Sequence, residues 1–139
     1  KQEASMATLS NDQINTIIKK QEEAKLMVTK AEELGKQLQK ERLTTNQIRA
    51  IFGEVRQIES EWGIARDRAV RKLILLKPKM AYRARKEHSR AVENLVKVLD
   101  PALDVVINEK NQSLQDKYFE NFVDFFEAIL AYHKAYGGR

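Results

Sequence analysis

Five basic residues, Lys79, Arg83, Lys86, Arg90 and Lys97, stand at offsets of 0, 4, 7, 11 and 18 from the first of them. On a helix advancing about 100° per residue, these offsets fall within about 60° of one another, so the five would form one ridge. The only acidic residue between Lys79 and Arg90 is Glu87, which the same geometry turns toward the apolar side. Solvated helix faces ordinarily mix signs, because like charges four residues apart cost roughly 0.2–0.5 kcal/mol per pair. An unrelieved positive row becomes favourable where it meets anions, and the chemistry it suits is the neutralisation of phosphates. Arg68, Arg71 and Lys72 form a second basic cluster, while periodicity does not fix the placement of Arg66 and Arg85. Such contacts hold a sugar-phosphate backbone in register without reading bases. Tyr82 is the sole aromatic residue beside the ridge, which gives little support to a platform that stacks single-stranded bases.

No second chemistry competes with this one. His88 and His133 are the only histidines; both fall on apolar helix sectors, lack metal-ligand spacing, and are expected as packed structural residues. Cysteine is absent, which removes thiolate nucleophiles, disulfides and cysteine-rich zinc sites. Asp100, Asp104, Asp116 and Asp124 are isolated carboxylates that only the fold could bring to partners, and no two of them read as an acid-base couple. The expectation is therefore no catalytic residue, no metal and no cofactor. Trp62, in register with Ile58 and Val55, is expected to pack in the core or at a helix end.

The elements that must carry these residues all read as helical, giving an all-α fold, a compact bundle of five or six helices. Ser10 and Gln13 have capping-box spacing, and Ile14, Ile17, Ile18, Ala24, Val28, Ala31 and Leu38 then recur at helical intervals, so one long first helix to about residue 39 is expected. Its stripe is thin and is interrupted by Gln21 and Gly35. Thr44 and Gln47 open the second helix, whose face is Ile48, Ile51, Phe52, Val55, Ile58 and Trp62. Arg49 and Arg56 lie together at the edge of that face, with stems that can cover apolar surface while the guanidinium groups reach outward. A third helical face runs through Ala69, Val70, Leu73, Ile74 and Leu76. Pro78 disfavours helical geometry at Lys77 and is expected to begin the fourth helix, which reaches about residue 99. Pro101 ends it or opens a short fifth. Ser113 is a candidate cap for the last helix, where Leu114, Tyr118, Phe119, Phe122, Val123, Phe125, Phe126, Ile129 and Leu130 make a stripe wide enough for the centre of a bundle.

The 139 residues fit a single domain, 1–139, with 1–8 and 137–139 expected to be flexible. With 42% hydrophobic and 32% charged residues, the composition is that of a folded soluble chain and not of a disordered one. No apolar run approaches the roughly 20 residues that cross a bilayer, and the first residues lack a signal-peptide pattern, so a cytoplasmic protein with no membrane partner is expected. The net charge of +5 is unevenly held: residues 62–90 carry ten basic and two acidic side chains, whereas 91–139 carry five basic and eight acidic. A local positive potential of this kind attracts a polyanion even when the remainder is neutral or acidic.

Three stretches, Leu43-Thr44-Thr45-Asn46-Gln47-Ile48-Arg49, Leu76-Lys77-Pro78-Lys79-Met80-Ala81-Tyr82-Arg83-Ala84, and Phe126-Glu127-Ala128-Ile129-Leu130-Ala131-Tyr132-His133-Lys134-Ala135-Tyr136-Gly137-Gly138, resemble the signatures of the small subunit of the type III-A CRISPR effector, the Csm complex. Their order and spacing agree over roughly residues 40–138, and the first 40 residues match only as a lead-in helix. The resemblance implies a non-catalytic, RNA-binding structural subunit that stacks in several copies beside the backbone and large subunits and lines the channel for target RNA paired with guide RNA. It places Arg49, Lys79 and Arg83 near RNA, and Arg56, Lys86 and Arg90 join them on periodicity. Tyr132, His133 and Tyr136 read as packing residues, and Arg85 departs from the small residue frequent at that place. The alternatives are a DNA-binding regulator with a helix-turn-helix, which would need a short projecting recognition helix, and a protein scaffold with incidental positive charge.

Overall fold

A computed structural model describes residues 9–139, among which there are six helices and no strand. Helix α1 spans Asn11–Lys19 and α2 spans Ala24–Lys40. The capping box at Ser10 is formed, with the Ser10 hydroxyl accepting from the Gln13 N–H and the Gln13 side chain accepting from the Ser10 N–H, both at 3.1 Å. The single long first helix expected from periodicity is two helices. Lys20 adopts an extended backbone that ends α1, and Lys20-Gln21-Glu22-Glu23 contributes no apolar side chain to hold a continuing helix on the core. The Asn121 side chain donates to the Ile18 carbonyl oxygen at 2.8 Å and so supplies a partner for a terminal acceptor of α1. The break lets Ile14, Ile17 and Ile18 bury against the last two helices while α2 runs along the last one.

Gly35, an interruption of the stripe by sequence, is where α2 approaches its neighbour most closely. A Cβ there would stand 2.8 Å from both the His133 backbone nitrogen and the Tyr132 Cβ. Only a residue without a side chain allows that crossing.

Helix α3 (Thr45–Trp62) opens on the expected Thr44–Gln47 capping box and buries Ile48, Ile51, Phe52, Val55 and Ile58. Helix α4 spans Arg66–Lys86 and α5 spans Arg90–Ile107. Here the sequence-based boundary is wrong: Pro78 lies inside α4 and Pro101 inside α5. Pro78 and Ile74, whose carbonyl loses its partner, both sit on the exposed side of α4, where water can satisfy the acceptor. The chain instead turns at Glu87-His88-Ser89. His88 takes a positive φ of 49°, a conformation to which His is more tolerant than most residues, and Ser89 caps α5 by accepting from the Val92 N–H. His88 is consequently exposed and not packed.

Helix α6 (Gln112–Ala135) is capped by Asn111 and not by Ser113. It buries Tyr118, Phe119, Phe122, Val123, Phe125, Phe126 and Ile129. At about 1.5–3 kcal/mol for each large apolar side chain removed from water, α6 is the main source of core stability. Leu114, expected in the same stripe, is 41% exposed because it stands in the first turn, at the edge of the core. Trp62 packs at the end of α3, stacked on Phe119 with ring centroids 4.1 Å apart.

The end of α6 is closed over His133. The buried imidazole donates from Nε2 to the Leu43 carbonyl oxygen at 2.5 Å, which ties α6 to the turn between α2 and α3. Gly137, at φ 96°, and Gly138 return their N–H groups to the Lys134 and His133 carbonyls, and Gly138 lies against the imidazole ring. The expectation of flexibility for residues 1–8 concerns residues outside those described. No described helix is long and apolar enough to cross a membrane.

Candidate nucleic-acid interface

Helices α3 and α4 run antiparallel, and three residues of α3 spaced seven apart meet α4 or the residue that caps its C-terminus. The Gln47 side chain donates to Glu87 at 2.8 Å, Glu54 lies 3.6 Å from Lys79, and Glu61 lies 2.6 Å from Lys72. This register fixes the face that α4 presents. Its core positions are Ala69, Leu73, Leu76, Met80 and Ala84, and Arg68, Lys72, Lys79, Arg83 and Lys86 fall within about 60° of one another on the flank toward α3. Arg71 and Arg85 lie further out on the solvent side. An antiparallel pair of this length is not the crossed arrangement of a helix-turn-helix.

The ridge inferred from the sequence is therefore shortened. Lys79, Arg83 and Lys86 remain together on α4 and are joined by Arg68 and Lys72, but Arg90 and Lys97 belong to α5, beyond the turn at His88. Arg49 and Arg56 are separated from the row as well. They sit about 200° around α3 from Gln47 and Glu54, on the edge that faces α6. Arg56 covers the Phe52 ring at 5.2 Å and reaches Glu59 at 2.8 Å and Glu127 at 3.8 Å.

Carboxylates within the chain meet part of the row. Besides Lys72 and Lys79, Arg83 lies 3.0 Å from Glu87, so Glu87 turns toward the row and not toward the apolar side. These pairs are partly or largely solvated, Lys79 being 63% exposed, and exposed pairs contribute only about 0–1 kcal/mol. An arriving phosphate can displace them. Arg68, Arg71, Arg85 and Lys86 are exposed and make no ion pair among the described residues, as do Arg49 and Arg90 on their separate surfaces.

Other charged residues serve the fold. Arg66 donates to Asp116 at 2.9 Å and to Gln115 at 2.6 Å, and Trp62 donates to the same Asp116 oxygen at 2.8 Å. Burial alone would raise the Asp116 carboxyl, but the hydrogen bonds from Trp62 and Arg66 and the guanidinium charge hold it below the usual carboxylate range. Lys77 clamps α4 to α5 through Asp104 at 2.5 Å and Asp100 at 3.1 Å. Burial would lower its ammonium, yet these two carboxylates prevail and raise it. Asp124 has no such partner among the described residues: burial, then the like charges of Glu127, Glu120 and Glu59, push its carboxyl upward. The carboxylates that were isolated in the sequence thus hold helices together or form an acidic surface. No group of three or more His, Cys, Asp or Glu residues among those described could hold a metal ion.

Between α3 and α4 the row borders an open groove of about 160 Å³, with Ile51, Leu76 and Met80 at its floor and Glu54, Lys79, Tyr82, Arg83 and Lys86 around it. Periodicity within one helix could not reveal it, because Ile51 and Glu54 come from the neighbouring helix.

The sequence model of Csm2 Type III-A matches residues 21–139, which takes in α2 through α6 with the whole basic row. The chain belongs to the Csm2 Type III-A family. Csm2 membership implies a structural subunit of a ribonucleoprotein. The match extends the resemblance beyond the three Csm2 signature stretches to include α2. Those stretches form the α3 cap, the C-terminal half of α4 and the His133 closure of α6. Comparison with curated proteins and with solved structures returned no match.

Proposed function

We propose that the chain is a non-catalytic RNA-binding subunit of a type III-A CRISPR ribonucleoprotein and that the α3-side flank of α4 neutralises phosphates where target RNA pairs with guide RNA. Its neighbours in this reading are the backbone and large subunits and further copies of itself. The observation that carries the proposal is the row Arg68, Lys72, Lys79, Arg83 and Lys86 on one helix flank. It extends over about 27 Å at 1.5 Å per residue, long enough to follow several phosphates. Family membership supplies the setting. In an assembly, neighbouring subunits hold this surface at high effective concentration, so a modest number of phosphate contacts is enough.

Binding of a guide-target RNA duplex across a salt series tests the assignment of surface. Replacing Arg68, Lys72, Lys79 and Lys86 together by Gln should reduce the slope of log affinity against log salt by about 3, at roughly 0.7–0.9 per lost phosphate contact. Replacing Arg90 and Lys97 should change it less. A slope unaltered by the α4 changes refutes the proposal.

A further inference from the structure

We propose that the groove between α3 and α4 receives one unpaired nucleobase of the RNA whose phosphates lie on the α4 row. The inference rests on the RNA-binding reading and adds a local contact to it. A nucleotide offers a flat apolar face, N–H donors on its edge and an anionic phosphate, and the groove presents a counterpart to each. Tyr82 is 66% exposed at its border, so its ring is open to a stacking partner. Ile51, Leu76 and Met80 close the bottom without a polar group. The Glu54 carboxylate stands in the wall as an acceptor, with only the 3.6 Å contact to Lys79 engaging it among the described residues. Lys79, Arg83 and Lys86 surround the opening, and the Lys86 ammonium stands over the Tyr82 ring, 6.0 Å from its centroid, so a cation is at hand for the phosphate of a base that joins that ring.

The occupant must be unpaired. A base inside a duplex has both faces stacked and its edge engaged, so it can offer Tyr82 and Glu54 nothing until it is turned out. Phosphates of the paired regions need no groove, since the exposed row meets them directly. The division of labour is that the row supplies affinity while the groove prefers RNA with a nucleotide out of the stack.

Binding of two RNA duplexes of equal length, one blunt and one with a single bulged adenosine, by the full chain and by Tyr82→Ala and Tyr82→Phe variants tests this. The unaltered protein should favour the bulged duplex by about tenfold, in keeping with base–aromatic stacking. Tyr82→Ala should remove that preference while leaving blunt-duplex affinity and its salt slope unchanged, and Tyr82→Phe should retain it. Equal affinity of the unaltered protein for both duplexes, or a preference that survives Tyr82→Ala, overturns the groove but leaves the phosphate row standing. Undiminished binding of both duplexes after Arg68, Lys72, Lys79 and Lys86 are replaced together by Gln overturns both.

Discussion

Lys79 Nζ stands 3.6 Å from Glu54 Oε1, and the two are 63% and 40% exposed. The pair joins α3 to α4 without burying either charge, so it holds the lysine at the edge of the groove and keeps it exchangeable. Glu54→Gln should therefore strengthen binding of blunt RNA duplex about two- to fivefold by removing a negative charge beside the row. Thermal stability should change by less than about 0.5 kcal/mol. Binding at several salt concentrations with parallel melting curves checks both, and weaker binding would assign Glu54 a supporting role.

Gly35→Ala tests the tight crossing of α2 and α6. The added methyl would meet backbone and Cβ atoms, which cannot swing aside as a long side chain can. The expected loss is about 1–3 kcal/mol in urea denaturation, despite the better helix propensity of alanine. A stabilised variant would show that the two helices separate without strain.

Asp116 accepts from both Trp62 and Arg66, and Asp116→Ala should cost about 1–2 kcal/mol. Its folded carboxyl is held below its unfolded value. That stabilisation is present above the unfolded pKa and is lost as pH falls through the folded one. The variant's deficit should accordingly shrink in acid, as read from denaturation midpoints between neutral pH and strongly acidic solution.

Asp124 works in the opposite sense. Its folded carboxyl is raised by burial and by Glu127, Glu120 and Glu59, so the folded chain binds the proton more tightly and ionisation destabilises it. Asp124→Asn should stabilise the protein at neutral pH, with the gain disappearing below the unfolded pKa of the aspartate. Denaturation of both proteins across that range distinguishes this from a pH-independent effect of the amide.

What the sequence conveyed follows the range of each interaction. The caps at Ser10 and Thr44 and the wide stripe of α6 were legible because they depend on neighbours three or four residues away. The turn at Glu87-His88-Ser89 was not, since it uses no glycine or proline, whereas the conspicuous Pro78 sits harmlessly on an exposed helix face. A helical wheel carried through His88 consequently added Arg90 and Lys97 to a row that ends at Lys86. Within α4 the same wheel was sound, and it grouped Lys79, Arg83 and Lys86. The carboxylates facing the row, Glu54 and Glu61, come from α3, and the separation of Arg49 and Arg56 depends on which helices flank α3. Neither relation leaves a mark in the spacing of a single segment.

Ultraviolet crosslinking of the assembled ribonucleoprotein with target RNA bound, followed by peptide mapping of this subunit, tests the central claim most directly. RNA adducts should concentrate on α4 between Arg68 and Lys86, with Tyr82 among the modified residues. Adducts confined to the α6 surface or to α5, or none on this chain while its neighbours are modified, would contradict it.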